Sequence, residues 1–196
     1  NVYDAETKQN RYTPYVIFDK EVIDRKGETH NLKVGVIGVV APGILRWDRA
    51  HLEGKVTVED AADTVEQFIP EMKGQGADII VVLSHSGIGD ETHDKGEDDV
   101  AYQITALEGV DAVLTGHNHD VFPGEFGELK NVNQEQGTIN GTPIVMPGKF
   151  GSHLGVIDLE LEKSGDQWTV VKGKGAVREI DKTSDKVVQK VIDAVK

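Results

Sequence analysis

Between Tyr15 and Val40 the apolar residues form β-branched runs. Tyr15-Val16-Ile17-Phe18 and Glu21-Val22-Ile23 lead into Asp24-Arg25-Lys26-Gly27, and Leu32 to Val40 returns. A polar stretch ending in glycine between two such runs predicts strands joined by a turn. The segment Val34-Gly35-Val36-Ile37-Gly38-Val39-Val40 is apolar without clean alternation, which predicts a strand covered on both faces. Pro42-Gly43 ends it. From Thr57 to Gly74 the spacing changes, with Ala61, Val65, Phe68 and Met72 at intervals of three and four. That period predicts a helix, with Thr57 as its cap and Asp60 three positions on, Pro70 as an interior kink, and Gly74 or Gly76 as its stop. Asp78-Ile79-Ile80-Val81-Val82-Leu83 then reads as a buried strand.

The order recurs further along. Asp98 to Leu107 predicts a short helix, Gly109 stops it, and Asp111-Ala112-Val113-Leu114 is a second buried strand. Each strand runs into a histidine-containing loop, so these are successive helix–strand units of a layered α/β fold. From Pro143 onward strands dominate: Ile144 to Met146, Leu154 to Leu161, and Trp168 to Val171 across the turn Ser164-Gly165-Asp166. Thr183 to Lys196 carries Val187, Val188, Val191, Ile192 and Val195 on one stripe and predicts a terminal helix.

Composition narrows the classes. With 196 residues, 38% of them hydrophobic and 28% charged, the chain is long and apolar enough for a substantial core. The charge is −13, from 21 Lys and Arg against 34 Asp and Glu. That argues against a nucleic-acid polymer as partner, since such binding rests on Lys and Arg neutralising phosphates. There is no cysteine, which removes disulfides, thiolate metal sites and thiol nucleophiles together. No run approaches the roughly 18 apolar residues of a membrane span. The opening Asn1-Val2-Tyr3-Asp4, without Met or leader, suggests a piece of something longer.

The candidate chemistry lies in the histidines. His85 follows one buried strand, and His117 and His119 follow the next. Ligands of α/β sheets bind beyond the carboxyl ends of strands, so these three are expected to converge on one edge and offer imidazole donors to a metal. Gly87 and Gly116 fit, because loops that approach a metal closely need unusual backbone angles. A single histidine beside a strand is ordinarily a surface or hydrogen-bonded residue; the grouping of three at two strand ends favours metal ligation. His30, His51 and His93 read as solvated loop residues, and His153 as a packing or supporting residue. The acids Asp78, Asp90, Asp98, Asp99, Asp111 and Asp120 offer no position that demands a ligand role. The acidic loop from Gly89 to Asp99 lacks calcium-loop spacing and reads as solvated.

Ser84-His85-Ser86-Gly87 followed by Gly116-His117-Asn118-His119 resembles the last two metal motifs of the calcineurin-like metallophosphoesterases. Further segments are similar to the bacterial 2′,3′-cyclic-nucleotide 2′-phosphodiesterase/3′-nucleotidase branch, near the 5′-nucleotidases. They are Tyr12-Thr13-Pro14-Tyr15, Gly38-Val39-Val40-Ala41-Pro42, Trp47-Asp48, Gly54-Lys55-Val56-Thr57-Val58, Val121-Phe122-Pro123-Gly124, Gly141 to Gly148 and His153-Leu154-Gly155-Val156. The resemblance implies an α/β (α+β) fold, part of a four-layer sandwich of two mixed β-sheets flanked by helices. It implies two divalent ions of the Mn, Zn, Fe or Co type in the complete site, with His85 and His117 on one and His119 on the other. The substrate implied is a nucleotide phosphoester, and the setting extracytoplasmic and bacterial. No Asp-x-His, Gly-Asp or Asn-His-Glu motif precedes Ser84-His85, so the bridging carboxylate and general acid of the family are not in this chain. Residues 1–182 are therefore expected to be the C-terminal portion of a metallophosphoesterase domain, and residues 183–196 a helical linker toward a nucleotide-binding domain. The parent would be the enzyme and the isolated chain inactive. A non-catalytic metal-binding module and a degenerate interaction domain are the alternatives.

Overall fold

A computed structural model describes residues 1–126, 128–165 and 167–180. The helix expected over 183–196, and with it the proposed boundary at 182, lies outside the described residues. The chain opens with a short strand, β1 (Val2–Asp4), and then makes the expected hairpin from β2 (Tyr15–Ile23) and β3 (Thr29–Val40), with Tyr15 opposite Ile37 and Ile23 opposite Thr29. Asp24 builds the turn: its Oδ1 accepts the N–H of Lys26 at 2.8 Å and of Glu28 at 2.9 Å, while Gly27 takes φ 85°. A carboxylate that folds back on its own backbone, followed by a left-handed glycine, is a tight-turn device. The hydrogen bond from His30, then the Glu28 N–H, pull the Asp24 carboxyl down to about 2.

After Pro42-Gly43 come two single-turn helices that the sequence pattern did not announce, α1 (Ile44–Trp47) and α2 (Arg49–Leu52), followed by β4 (Val56–Val58). The helix expected from Thr57 begins later, as α3 (Ala61–Gly74), because β4 takes Thr57 to pair with Tyr3 of β1. Asp60 is the cap instead. Its side chain accepts the Asp63 N–H at 2.9 Å and also holds the far loop through the Gly96 N–H (2.9 Å) and His93 Nε2 (3.1 Å). Pro70 sits inside α3, and Gly76 follows its end at φ 90°.

The remaining elements are β5 (Ile79–His85), α4 (Ala101–Ala106), β6 (Ala112–Thr115), β7 (Val121–Phe122), β8 (Val132–Asn133), β9 (Thr138–Ile139), β10 (Thr142–Pro147), β11 (His153–Ser164) and β12 (Gln167–Glu179). Helix α4 is shorter than the expected Asp98–Leu107. Its first N–H groups are taken by the preceding loop, Ala101 donating to Gly87 O and Tyr102 to Ile88 O. One mixed sheet of eight strands has the order β2-β3-β5-β6-β10-β9-β8, with β7 added on β10. Strands β3, β5, β6 and β10 run parallel. No helix among the described residues is long and apolar enough to cross a membrane.

The two faces of this sheet differ. Ile37, Val39, Ile80, Val82, Val113, Ile144 and Met146 are buried against Ala61, Val65, Phe68, Ile69 and Met72 of α3 and Ile104 of α4. The opposite face is covered mainly at β10, where the β11–β12 hairpin lies so close that a Cβ on Gly155 would come within 2.9 Å of Val145 Cγ2, and Gly173 sits against the Pro143 ring. Toward β3 that cover ends. Leu83 is 45% and Leu114 40% exposed, and Gly38 is open. The expectation that β3 is covered on both faces is thus corrected: Gly35, Ile37 and Val39 are buried, whereas Val34, Val36 and Val40 are half-buried. Apolar residues on both sides of a strand show that both faces suit burial; they do not supply the cover.

Burial alone would raise the Asp60 carboxyl, but the N–H groups of Asp63 and Gly96 and the His93 ring outweigh it and hold its pKa below the ordinary value. Asp60→Ala is expected to cost about 1–2 kcal/mol of stability at neutral pH in thermal or urea unfolding. A folded pKa below the unfolded one means this stabilisation is present above about pH 5 and is lost as the pH falls through the folded value, so wild type and variant should converge in acid.

Candidate metal centre

Parallel pairing puts the carboxyl ends of neighbouring strands on one edge. Ser84 of β5 lies opposite Thr115 of β6, and His85 opposite Val40 of β3. The next residues of all three strands therefore leave the sheet together: Pro42 to Trp47 after β3, Ser86 to Asp99 after β5, and Gly116 to Asp120 after β6. Thr115 Oγ1 donates to Ser86 O and stitches the last two exits.

His85 and His117 meet at this edge, with ring centroids 5.5 Å apart and planes at 65°. The indole of Trp47 stacks on the other side of His117 at 4.8 Å and 26°, 48% exposed and with the Arg46 guanidinium 5.7 Å from its ring. His119 stands apart, its ring 6.1 Å from that of Phe150, which is 87% exposed at φ 54°. His117 and His119 are themselves left-handed, at φ 71° and 66°. Such backbone is uncommon outside glycine and collects at functional sites. The unusual angles thus fall on the histidines, whereas Gly116 has neither a positive φ nor a crowded Cβ position. Gly87 is required for a different reason than φ: a Cβ there would collide with the Asn118 side-chain amide and Asp99 Oδ1.

Three of the other histidines already have polar partners. His30 lies in β3, 3.1 Å from Asp24 Oδ2 and edge-on to Trp168; His93 pairs with Asp60; His153 Nδ1 is 2.9 Å from Ser152 Oγ. His30, half-buried inside β3, is therefore not the solvated loop residue expected, whereas His93 is an exposed loop residue as expected. His51 is exposed in α2. Among the described residues, the rings of His85, His117 and His119 make no hydrogen bond or ion pair, which leaves their nitrogens available as donors. A pair of imidazoles at one strand edge with a third set apart fits divalent ions of the borderline class. It is a partial set. Among the described residues, the groups with three ligand atoms within 4.8 Å of one another are Asp24–Glu28–His30 and Asp60–Asp63–His93, and neither includes these three.

The acids sort by position. Asp78 Oδ2 accepts the Lys33 N–H at 2.7 Å and Asp111 Oδ2 the Ile80 N–H at 2.8 Å, so both brace strand starts at the opposite end of the sheet. Burial raises the Asp111 carboxyl despite that bond. The loop from Gly89 to Asp99 is exposed from Asp90 to Gly96, as expected of a solvated loop, and is held at several points. Glu91 binds Lys130 (2.5 Å), Asp90 binds Thr92, Asp98 turns toward the Gly43–Trp47 turn, and Asp99 turns toward the histidine loops. Trp47, Phe150 and Asn118 received no role from sequence reasoning. The signal available was an exposed aromatic beside each strand exit and an amide between two histidines.

Parallel β3, β5 and β6 carry His85, His117 and His119 at or just beyond their carboxyl ends, and the family model for calcineurin-like phosphoesterases matches residues 3–121. The chain belongs to that family. It is 43% identical, over 92% of its length, to the 2′,3′-cyclic-nucleotide 2′-phosphodiesterase/3′-nucleotidase of Salmonella typhimurium, and 44% identical, over 88%, to the trifunctional nucleotide phosphoesterase protein YfkN of Bacillus subtilis. It spans 28% and 12% of the lengths of those two relatives. The crystal structure of the calcineurin-like phosphoesterase YfkN from Bacillus subtilis superposes with a TM-score of 0.91 at 40% identity, over 99% of this chain and 59% of that one. The family implies divalent metal ions.

Because Trp47 lies on the His117 ring, an ion taken up by His117 should alter its emission. Titration with Zn²⁺ or Mn²⁺ is expected to change tryptophan fluorescence, and Trp47→Phe to remove that change. The remaining indole, Trp168, lies against His30. An undiminished response in Trp47→Phe would contradict the assignment of His117 as a ligand.

Proposed function

We propose that this chain is the histidine-bearing half of a metal-dependent nucleotide phosphoesterase. His85 and His117 hold one divalent ion and His119 the second, of the Mn, Zn, Fe or Co type. The observation that carries the reading is the meeting of the His85 and His117 imidazoles at the carboxyl edge of β5 and β6, with His119 two residues further along the same loop, beside the uncovered part of the sheet. Divalent ions held by His85, His117 and His119 would supply Lewis-acid polarisation of a phosphoryl oxygen and offset charge as the ester bond breaks. The chain's own contribution is to fix the donors: His117 and His119 are held left-handed, and the Trp47 indole stacked on His117 limits rotation of that ring.

The catalytic set is incomplete without another segment. A cavity of about 430 Å³ lies on the open face, lined by Gly38, Val40, Leu83, Leu114, Val145 and His85 among others. Its apolar floor runs into the metal edge. A segment outside these 196 residues that packs on this floor would bring the bridging carboxylate and the general acid to the histidines. The names of the relatives support 2′,3′-cyclic and 3′-nucleotides as the substrate class.

Hydrolysis of 2′,3′-cyclic adenosine monophosphate in the presence of Mn²⁺ tests the reading. The intact enzyme should turn it over and the 196-residue chain should not. His117→Ala in the intact enzyme should lower kcat by about 10³-fold or more, the scale of several kcal/mol of metal stabilisation. Turnover by the isolated chain at the rate of the intact enzyme, or an unaffected His117→Ala, would overturn it.

A further inference from the structure

Asp98 and Asp99, adjacent in sequence before α4, face different loops. Asp98 Oδ1 accepts the Gly43 N–H at 2.6 Å, and its Oδ2 lies 3.2 Å from Arg46 Nη2. It thereby anchors the single turn that carries Trp47. Asp99 Oδ1 accepts the N–H of Gly87 at 2.9 Å, two residues beyond His85, and its Oδ2 accepts the side-chain N–H of Asn118 at 3.0 Å. Asn118 sits between His117 and His119. One carboxylate therefore joins the backbone of the first histidine loop to the side chain at the centre of the second.

The surroundings are built around this bridge. Ser86 Oγ donates to Asp98 O at 2.8 Å and accepts the Val100 N–H at 2.8 Å, so the loop is closed on both sides of the two acids. Gly87 leaves the space in which the Asp99 and Asn118 side chains meet, and Gly89 makes room for the Asp99 carbonyl. Helix capping does not account for Asp99: the cap position of α4 is Val100, and no side chain caps it. Asp99 reaches sideways between loops.

We propose that Asp99 is a positioning residue of the metal centre: through Gly87 and Asn118 it fixes the His85 loop against the His117–His119 loop and preorganises the imidazoles for the ions, touching neither ion nor substrate. The inference rests on the reading that these histidines bind metal. The physical reason is the backbone. Two residues of the second loop are held left-handed, a conformation that persists only when the surroundings over-determine it. The Asn118 Nδ2 to Asp99 bond is the side-chain link that pins the residue between them. Without it the loop can relax toward ordinary backbone angles, and the histidines separate.

Calorimetric titration of the intact protein with Zn²⁺ tests this, with unfolding of the metal-free protein followed alongside. Asp99→Ala should weaken metal affinity about 10- to 100-fold, the range found for groups that orient ligands. Asn118→Ala should weaken it similarly from the other end of the bridge. The double variant should be no worse than either single one, because both remove one link. Asp99→Asn should recover most of the affinity, since its amide oxygen still accepts the Gly87 N–H and its amino group can donate to a flipped Asn118 amide. Affinity unchanged in Asp99→Ala and Asn118→Ala while His117→Ala loses metal would overturn the positioning role and leave the metal reading intact. Equal affinity in wild type and His117→Ala would overturn the metal reading itself, and with it the role of Asp99. A lower melting temperature of Asp99→Ala with wild-type affinity would mark a purely structural carboxylate.

Discussion

Parallel pairing of β5 with β6 sets Ser84 opposite Thr115, and this register decides where every later group goes. A shift of one residue would send His85 and the residues after it to the other side of the sheet, since side chains alternate at every step. The register is secured by burial on one face: Ile80, Val82 and Val113 lie under α3 and α4, and moving them would expose them while burying Leu83 and Leu114. It is secured a second time by Thr115 Oγ1, which bonds Ser86 O across the strand exits. The metal edge is thus a consequence of how the hydrophobic core is aligned.

The same core leaves the sheet unequal on its two sides. Helices cover one face fully, whereas the hairpin β11–β12 covers the other only near β10. What remains is an apolar floor of Gly38, Val40, Leu83 and Leu114 that ends at His85. Exposed apolar area that is continuous and adjoins a polar site ordinarily marks an interaction surface. Here the floor adjoins the histidine edge, since His85 lines the same cavity.

The chain's −13 charge has a local meaning. Several acids are spent as braces: Asp24 in a turn, Asp60 at a helix start, Asp78 and Asp111 at strand starts, Asp98 and Asp99 between loops. Each accepts one or more backbone N–H groups, the strong form of a hydrogen bond to a charged acceptor.

The sequence by itself determined the hairpin of β2 and β3, the succession of helix and buried strand, and the placement of His85, His117 and His119 directly after those strands. These follow from local periodicity and from turn residues, which act over a few positions. It misplaced the start of α3, because Thr57 satisfies a cap pattern but is taken by a strand pairing with Tyr3. It also read His30 as a solvated loop residue, whereas it sits half-buried in β3 against Asp24. Only the tertiary structure decided that Asp99 ties Gly87 to Asn118, that Asp98 ties Gly43 and Arg46, that Trp47 lies on His117, and that one face of the sheet stays open. Those bonds join residues 12, 19 and 55 positions apart. No local period encodes such a meeting; it exists only once the strands are in register and their loops leave the same edge.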